Sequence, residues 1–482
     1  MDFSQTFFWS MKKDKRNYKD AEINQTVDRF KRSIISGSTM YFDVSEFEFI
    51  VEHLLEEGDL RASEIAVKQG IRIHPGAIPL HLKYAQVLIN KGNYEKSLKH
   101  LHYAEKVEAN NPDVHILKGS ARMVMGNEPD ALLSFNEAMK HADSEIDEIY
   151  YQIGTSYVQI GQIRKAIYYF EKTARANSSN KMALHDVGFF CDQLGDYEKS
   201  IKYYNKYLDM DPFNQAAWFN LGNVYNKSNK HRKAIEAYEF ALTLDDGFHM
   251  ALFNIGNALA NDEQFEKAIE KYLEFLEKEP FNENALCYIG ECYLNLEQYD
   301  HAIFFFQKVL EINGENDSAL FGIGLILWAE KEYDDSIDFI SKAISIDDRN
   351  AEYWLTLGKV FHDYEIMDCA IDAFKEAARI DADNIEVWLN WSELLKNIDE
   401  QYNAIRILKL GIKNNSNSLL KYHLVAYLLE SNNKEVALNW LYIAMEQEAD
   451  QINYLFDICP EAKKCDRVKK LVEDFQSNKV TG

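Results

Sequence analysis

The chain has 482 residues, 46% of them hydrophobic, with 28 Tyr, 28 Phe, 21 Gly and 7 Pro. That apolar content excludes a disordered chain, and so few Gly and Pro leave little room for the many turns of an all-β protein. Lys and Arg total 53 against 78 Asp and Glu, a net charge of −25, and a surface this acidic repels phosphate backbones and argues against nucleic-acid binding.

The charge is uneven from the start. Residues 1–42 hold 8 basic and 5 acidic side chains, so the remainder carries −28. The cluster MKKDKRNYK (Met11–Lys19) reads either as an electrostatic arm or as a solvated chain end. In MDFSQTFFWSMKK the apolar patch precedes the positive charges, the reverse of a secretory signal. Residues 1–18 are expected to be mobile. A helix is predicted over Ala21–Ser36, ended by Gly37, which makes 1–42 a leader arm and helix. SEFE (Ser45–Glu48) is a candidate capping box for the helix that follows.

From here the glycines keep a beat. Gly154, Gly188, Gly222, Gly256, Gly290, Gly324 and Gly358 follow one another at a step of 34 residues, and Ser392 and Ala426 continue it. Backwards, Gly119, Ala85 and Ile50 follow with steps of 35, 34 and 35. A second small residue recurs twelve positions later, from Ala131 through Ala234 and Ala268 to Ala404. Such a period signals a solenoid of stacked units, each too small to bury its apolar face alone.

Each unit reads as two antiparallel helices. Leu252, Ile255, Gly256 and Leu259 share a face of the first at helical spacing, and Ala268, Tyr272 and Phe275 do so on the second. The connector Glu263-Gln264-Phe265-Glu266 recurs as Gly195-Asp196-Tyr197-Glu198 and as Glu297-Gln298-Tyr299-Asp300. Its aromatic residue is expected to cover the turn and its acids to favour the next helix's N-terminus. A phosphate-binding loop needs closely grouped glycines between a strand and a helix. Here each Gly stands alone inside an amphipathic helix, so its job is to let two helices approach, and nucleotide binding is excluded.

Trp218, Leu221, Gly222, Tyr225, Ala234, Tyr238 and Ala241 follow the pattern W-x2-L-G-x2-Y, A-x3-F, A, as do Trp354, Leu357, Gly358, Phe361, Ala370, Phe374 and Ala377. On these residues the chain resembles the tetratricopeptide-repeat family. The resemblance implies an all-α, right-handed α-solenoid of about twelve repeats over 43–448, with 449–482 as a capping helix and tail. In the last repeat the second helix comes one residue early, at Ala437.

The resemblance also implies a function, since repeats of this family bind other chains along the concave surface of their first helices. The groove-facing places are positions 2, 5, 6, 9, 12 and 13 of each repeat. Asn220 and Asn254 fall at position 6, as does Asn390, while Asn223 and Asn257 fall at position 9. A carboxamide offers both a donor and an acceptor to a peptide unit and needs no particular partner sequence. Equally, Asn is a common polar filler on a wet helix face, and the matching places elsewhere hold Gln152, Asp186, Tyr288, Gly322 and Thr356. Phe219, Phe253 and Phe321 at position 5 and Trp328 at position 12 either anchor a partner's apolar side chains or pack on adjacent helices. Trp388 and Trp391 are core. The candidate peptide-binding set is therefore Phe219, Asn220, Asn223, Phe253, Asn254, Asn257 and Tyr288.

No catalytic or metal-binding constellation stands out. His100 and His102 lie two apart on a predicted helix and face different ways, and Cys287 and Cys292 have poor ligand spacing. Six cysteines without a Cys-x-x-Cys pair suggest reduced thiols and a cytoplasmic location. No stretch approaches the roughly 18 continuous apolar residues needed to cross a bilayer. The expectation is a non-enzymatic scaffold with no cofactor, binding a neutral or basic protein segment and neither nucleic acid nor membrane. A sensor that changes pitch on binding a peptide, or an adaptor subunit of a larger complex, is the alternative.

Overall fold

The computed structural model describes residues 20–36, 40–142, 146–245 and 247–481. The leader 1–18, the basic cluster Met11–Lys19 and the helix stop at Gly37 lie outside the described residues. The chain divides into two compact units, Met1–Gly247 and Phe248–Gly482.

In the first unit, α1 (Asp20–Ser36) precedes six helical hairpins. These are α2 and α3 (Val44–Glu56, Leu60–Ile73), α4 and α5 (Ile78–Asn90, Tyr94–Val107), and α6 and α7 (Pro112–Val124, Glu128–His141). They continue with α8 and α9 (Ile146–Gln159, Ile163–Ala176), α10 and α11 (Lys181–Gln193, Tyr197–Met210), and α12 and α13 (Gln215–Lys227, His231–Leu244).

The second unit holds six more. They begin with α14 and α15 (Met250–Asn261, Phe265–Leu276), α16 and α17 (Glu283–Asn295, Tyr299–Ile312), and α18 and α19 (Asp317–Ala329, Tyr333–Ile346). After them come α20 and α21 (Ala351–Asp363, Met367–Ile380), α22 and α23 (Ile385–Asn397, Gln401–Asn414), and α24 and α25 (Ser418–Glu430, Lys434–Glu448). The end is less uniform than a single capping helix: α26 (Ile452–Ile458) and α27 (Asp466–Thr481) alternate with 3-10 turns at Ala449–Gln451 and Pro460–Lys464. The twelve expected repeats are present as two sets of six, and no strand occurs among the described residues.

Close approach of the paired helices explains the 34-residue beat. A Cβ on Gly222 would lie 2.6 Å from the Tyr238 ring, and one on Gly256 2.5 Å from Tyr272. Where the beat falls on Ala85, Ser392 or Ala426, the facing residue of the second helix is Leu101, Leu408 or Leu441, all fully buried. Glycine faces an aromatic ring except at Gly324, which meets Ile340, and the slightly larger residues face leucine, so the volume between the helices is held within a narrow range.

The turn inside each hairpin needs one left-handed residue. Gly195 is such a residue (φ 75°), with its N–H on Asp192 O at 3.0 Å and the Asp196 N–H on Cys191 O at 2.9 Å. These bonds satisfy the last carbonyls of α10. The connection between hairpins relies on asparagine instead. Asn111, Asn180, Asn214, Asn282, Asn316, Asn350, Asn384 and Asn417 each accept a backbone N–H from the first turn of the following helix, which satisfies donors the helix cannot. Where flanking repeats have DPFN and EPFN, the stretch 245–248 reads DDGF, and α14 begins without a side-chain cap. That uncapped start coincides with the boundary between the units.

The expected capping box is corrected by two residues. Asp43, not Ser45, is the N-cap: its Oδ1 accepts the Glu46 N–H at 2.7 Å and Glu46 Oε2 accepts the Asp43 N–H at 2.9 Å. The Ser45 hydroxyl donates to Asp43 Oδ1 at 2.7 Å, a supporting role. A carboxylate is the better acceptor at a positive helix end, and Glu46 stands three residues after it.

Candidate functional site

In the first unit, the faces of the first helices that carry positions 5, 6 and 9 are largely closed. On α4, Lys83 and Gln86 are buried; on α6, Ile116, Leu117 and Ser120; on α8, Tyr151, Gln152 and Thr155. Successive first helices pack on one another there, and their polar groups are paired with each other. Lys83 Nζ lies 3.4 Å from Glu52 on α2, and burial raises that carboxyl above its ordinary range. Ser156 of α8 donates to Ser120 Oγ at 3.3 Å. Asp186 on α10, 4% exposed, accepts the Tyr151 hydroxyl at 2.8 Å and lies 3.2 Å from His185 Nδ1. A buried carboxylate held this way is structural.

The face opens at α12. Phe219, Asn220 and Asn223 are half-buried. The Tyr238 hydroxyl donates to Asn223 Oδ1 at 2.8 Å, Asn220 hydrogen-bonds the Tyr204 hydroxyl, and the Phe219 and Tyr238 rings lie 5.5 Å apart.

In the second unit, α14 presents Phe253, Asn254 and Asn257, all half-buried, and α16 presents Tyr288, which is exposed. The Tyr272 hydroxyl donates to Asn257 Oδ1 at 2.7 Å. Asn257 Nδ2 reaches Asn254 Oδ1 only at 3.5 Å, too long to count for much. The Phe253 ring lies 5.7 Å from Tyr288, 5.8 Å from Tyr272 and 5.3 Å from Phe275.

The structure thus brings Phe253, Asn254, Asn257 and Tyr288 together on the second unit, and Phe219, Asn220 and Asn223 on the first. It also shows what the sequence reading missed. At position 9 the asparagine acceptor is taken by a tyrosine of its own repeat, fifteen residues on, in both repeats that have Asn there. The signal was present: Asn223 comes with Tyr238 and Asn257 with Tyr272, whereas Ser120, Thr155 and Glu291 come with Phe135, Phe170 and Phe306. Asn390 turns inward to its own helix and donates to Glu386 O at 2.8 Å.

Of the two open readings for the aromatic residues, packing holds at Phe321, which is buried with its ring 4.5 Å from that of Tyr353. The Trp328 indole N–H donates to Asp363 at 2.8 Å, tying α18 to α20.

One groove-facing residue escaped the sequence reading altogether. Glu291, position 9 of α16, is exposed, and its side chain makes no hydrogen bond or ion pair among the described residues. Its carboxyl is nevertheless pushed up to about 7, first by the protein that displaces water around it and second by the charge of Glu352 on α20. Both observations describe a group that water still reaches but cannot surround. Glu352 is also exposed and unpaired among the described residues. Next to it on α16, Cys287 and Cys292 are buried and their thiols pushed up to about 12, which makes them unreactive. No group of three His, Cys, Asp or Glu placed to hold a metal ion occurs among the described residues, and none of their helices is long and apolar enough to cross a membrane.

Four segments match family models described as tetratricopeptide repeat: 151–214, 216–248, 283–316 and 317–350. Among solved structures, MamA is 25% identical, covering 36% of this chain and 93% of its own, with a TM-score of 0.34. YrrB, described as a TPR protein with an unusual peptide-binding site, is 20% identical, covering 41% of this chain and 97% of its own, with a TM-score of 0.33. Tom70 from yeast is 13% identical, covering 95% of this chain and 100% of its own, with a TM-score of 0.46. No curated protein sequence matches the chain.

Proposed function

We propose that this chain, a multi-repeat tetratricopeptide-repeat protein, holds an extended segment of a partner protein against the open faces of its first helices. Such repeats serve in general as non-catalytic protein-interaction scaffolds. The observation that carries the peptide reading is the contrast in exposure. The group-bearing face is closed by neighbouring helices from α4 to α8, and it is open where α14 and α16 carry Phe253, Asn254, Asn257 and Tyr288.

In this reading Asn254 meets a peptide unit of the bound segment, and Tyr288 with Phe253 forms an apolar wall for one of its side chains. Asn257 fixes the Tyr272 ring beneath them and contributes through position. Phe219, Asn220 and Asn223 on α12 offer the same groups on the first unit. The scaffold acts without catalysis or a cofactor, engages neither nucleic acid nor membrane, and belongs to the cytoplasm. The leader 1–42 and the tail 449–482 flank the repeats of 43–448.

The test is selection of twelve-residue peptides from a display library on the purified full chain, followed by anisotropy titration of one selected peptide. Asn254→Ala and Tyr288→Ala should each weaken binding about tenfold, the effect of losing one well-placed contact. Unchanged affinity in both variants would remove the peptide from this face.

A further inference from the structure

We infer that the first unit carries a small-molecule site between α7, α8 and α9, and that its ligand is an aliphatic carboxylic acid of about eight carbons. Site and ligand are independent of the peptide reading. Tyr150 and Ile153 hold positions 4 and 7 of their repeat, not the groove-facing positions.

A cavity of about 310 Å³ lies between these helices, at the lower end of the range that small ligands occupy. It coincides with a break in the repeat. From Ala85 to Gly358 every step of the beat is 34 residues except Gly119 to Gly154, which is 35. The lining grades from buried and apolar, at Phe135 and Ile153, to more exposed and polar, at Lys172 and Asn136. Half-buried Leu132, Met139, Tyr150 and Tyr169 complete it. Such a gradient orients an amphipathic molecule, body inward and head outward. At about 30 Å³ per water-sized group, the space holds roughly ten non-hydrogen atoms, the size of octanoate.

The polar groups of the lining identify the head. Lys172 Nζ lies 5.1 Å from the Tyr150 ring, 4.8 Å from Tyr168 and 5.2 Å from Tyr169, and it makes no hydrogen bond or ion pair among the described residues. Acids on the same helices are committed elsewhere: Glu171 lies 2.9 Å from Lys199, Glu128 2.7 Å from Lys165 and Glu137 2.6 Å from Lys140. Ring faces hold an ammonium in place but carry no net charge, so this cation keeps its capacity for an anion.

The Tyr150 and Tyr169 hydroxyls and the Asn136 amide also lack a hydrogen-bond partner among the described residues. Neighbouring tyrosines do not: Tyr151, Tyr157 and Tyr203 donate to Asp186, Glu128 and Glu171. Where His or Trp takes the repeat position of Tyr150, as at His115, Trp218 and Trp354, the ring N–H donates to the carbonyl six residues earlier. One cation and three groups able to donate thus surround an otherwise apolar space. A carboxylate, which only accepts, is the head that suits them.

Net charge favours the same unit. The first has 35 acidic and 31 basic side chains, a net −4, whereas the second has 43 and 22, a net −21. An anion is therefore repelled far less by the unit that holds the cavity.

Octanoate is the probe, titrated by calorimetry into the full chain beside butyrate, 1-octanol and octylammonium. Octanoate should saturate one site per chain, with butyrate at least about tenfold weaker for its lost methylenes. 1-Octanol and octylammonium should be weaker by about the same factor, for want of the charge-assisted bond. Lys172→Met keeps the stem and removes the charge, and should weaken octanoate about tenfold and 1-octanol less than about twofold. Leu132→Trp fills the cavity and should weaken both about tenfold. Hydrogen exchange on the unaltered chain locates the site without any variant: octanoate should slow it in α7 to α9 and leave α14 to α16 unchanged. Octylammonium binding as tightly as octanoate, protection that falls outside α7 to α9, or unchanged octanoate affinity in both variants would overturn the site. So would the absence of saturable binding at millimolar octanoate.

Discussion

The two units are built from the same hairpin at the same step, yet they differ in three ways that compound. The first places Gly at the left-handed turn position in five of its six hairpins, Gly58, Gly92, Gly126, Gly161 and Gly195, with Asn229 in the sixth. The second uses Glu263, Glu297, Lys331, Glu365, Asp399 and Asn432 there, at φ between 56° and 62°, or 67° for Lys331. The first is nearly neutral and buries its first-helix face from α4 to α8, opening it at α12; the second is strongly acidic and opens that face from its first helices, α14 and α16. Periodicity alone therefore decides the fold, while residue choices within the period decide whether the face is closed by the chain itself or left for another. An open, charged face is retained at some expense in stability, as binding surfaces commonly are.

Transplanting the first unit's pairing into the second should produce the largest effect. Gly256→Ala forces a Cβ to 2.5 Å from the buried Tyr272 ring and should destabilise the second unit by about 2–3 kcal/mol. Tyr272→Leu alone should cost about 2 kcal/mol through lost packing and an orphaned Asn257 acceptor. Together they recreate the Ala85–Leu101 pair, so the double variant should cost at least about 1 kcal/mol less than the sum. Hydrogen exchange read by mass spectrometry on α14 and α15 gives the local values; strict additivity would refute the volume-compensation account.

Next in size is a matched pair at position 6. Asp186→Ala in the first unit strands the buried Tyr151 hydroxyl, at a cost of about 2 kcal/mol. Asn390→Ala in the second removes only a bond to its own helix, and should cost less than about 0.5 kcal/mol. Equal losses in the two, by exchange protection in α10 and α22, would contradict the closed-against-open contrast. Smaller still, Glu365→Gly should stabilise the second unit by about 0.5 kcal/mol, because an L side chain in the left-handed region is strained by more than glycine's added chain entropy. The reverse, Gly195→Ala, should cost the first unit about 1 kcal/mol.

Much of this architecture could be read in the sequence. The step between Gly154 and Gly358 located the hairpins because a Cβ there has nowhere to go, and that constraint is local. The DPFN and EPFN phrases likewise mark helix starts through their asparagines. The site was half legible. That Asn254 and Tyr288 share a face follows from their repeat positions, but that Asn257 is held by Tyr272 required comparing two positions fifteen apart across repeats. The closed face of the first unit was not legible at all. Burial of Lys83 or Asp186 depends on how closely one first helix tilts onto the next, a sum of many small packing choices with no single residue as its marker. Glu291 was overlooked for a related reason: a lone Glu on a helix resembles any solvated acid until its surroundings are known.

The smallest effect is the most specific. A glutamate whose ordinary pKa is 4.5 loses its proton near that pH in the unfolded chain, whereas Glu291 in the folded protein does so near 7. Between those values the folded state binds more protons than the unfolded one, so this residue's contribution to stability falls as pH rises, and its penalty is complete only above 7. Glu291→Gln abolishes the titration. The variant should therefore melt above the unaltered protein at pH 8 and close to it at pH 4.5, with a gain below about 1 kcal/mol because water still screens the exposed carboxylate.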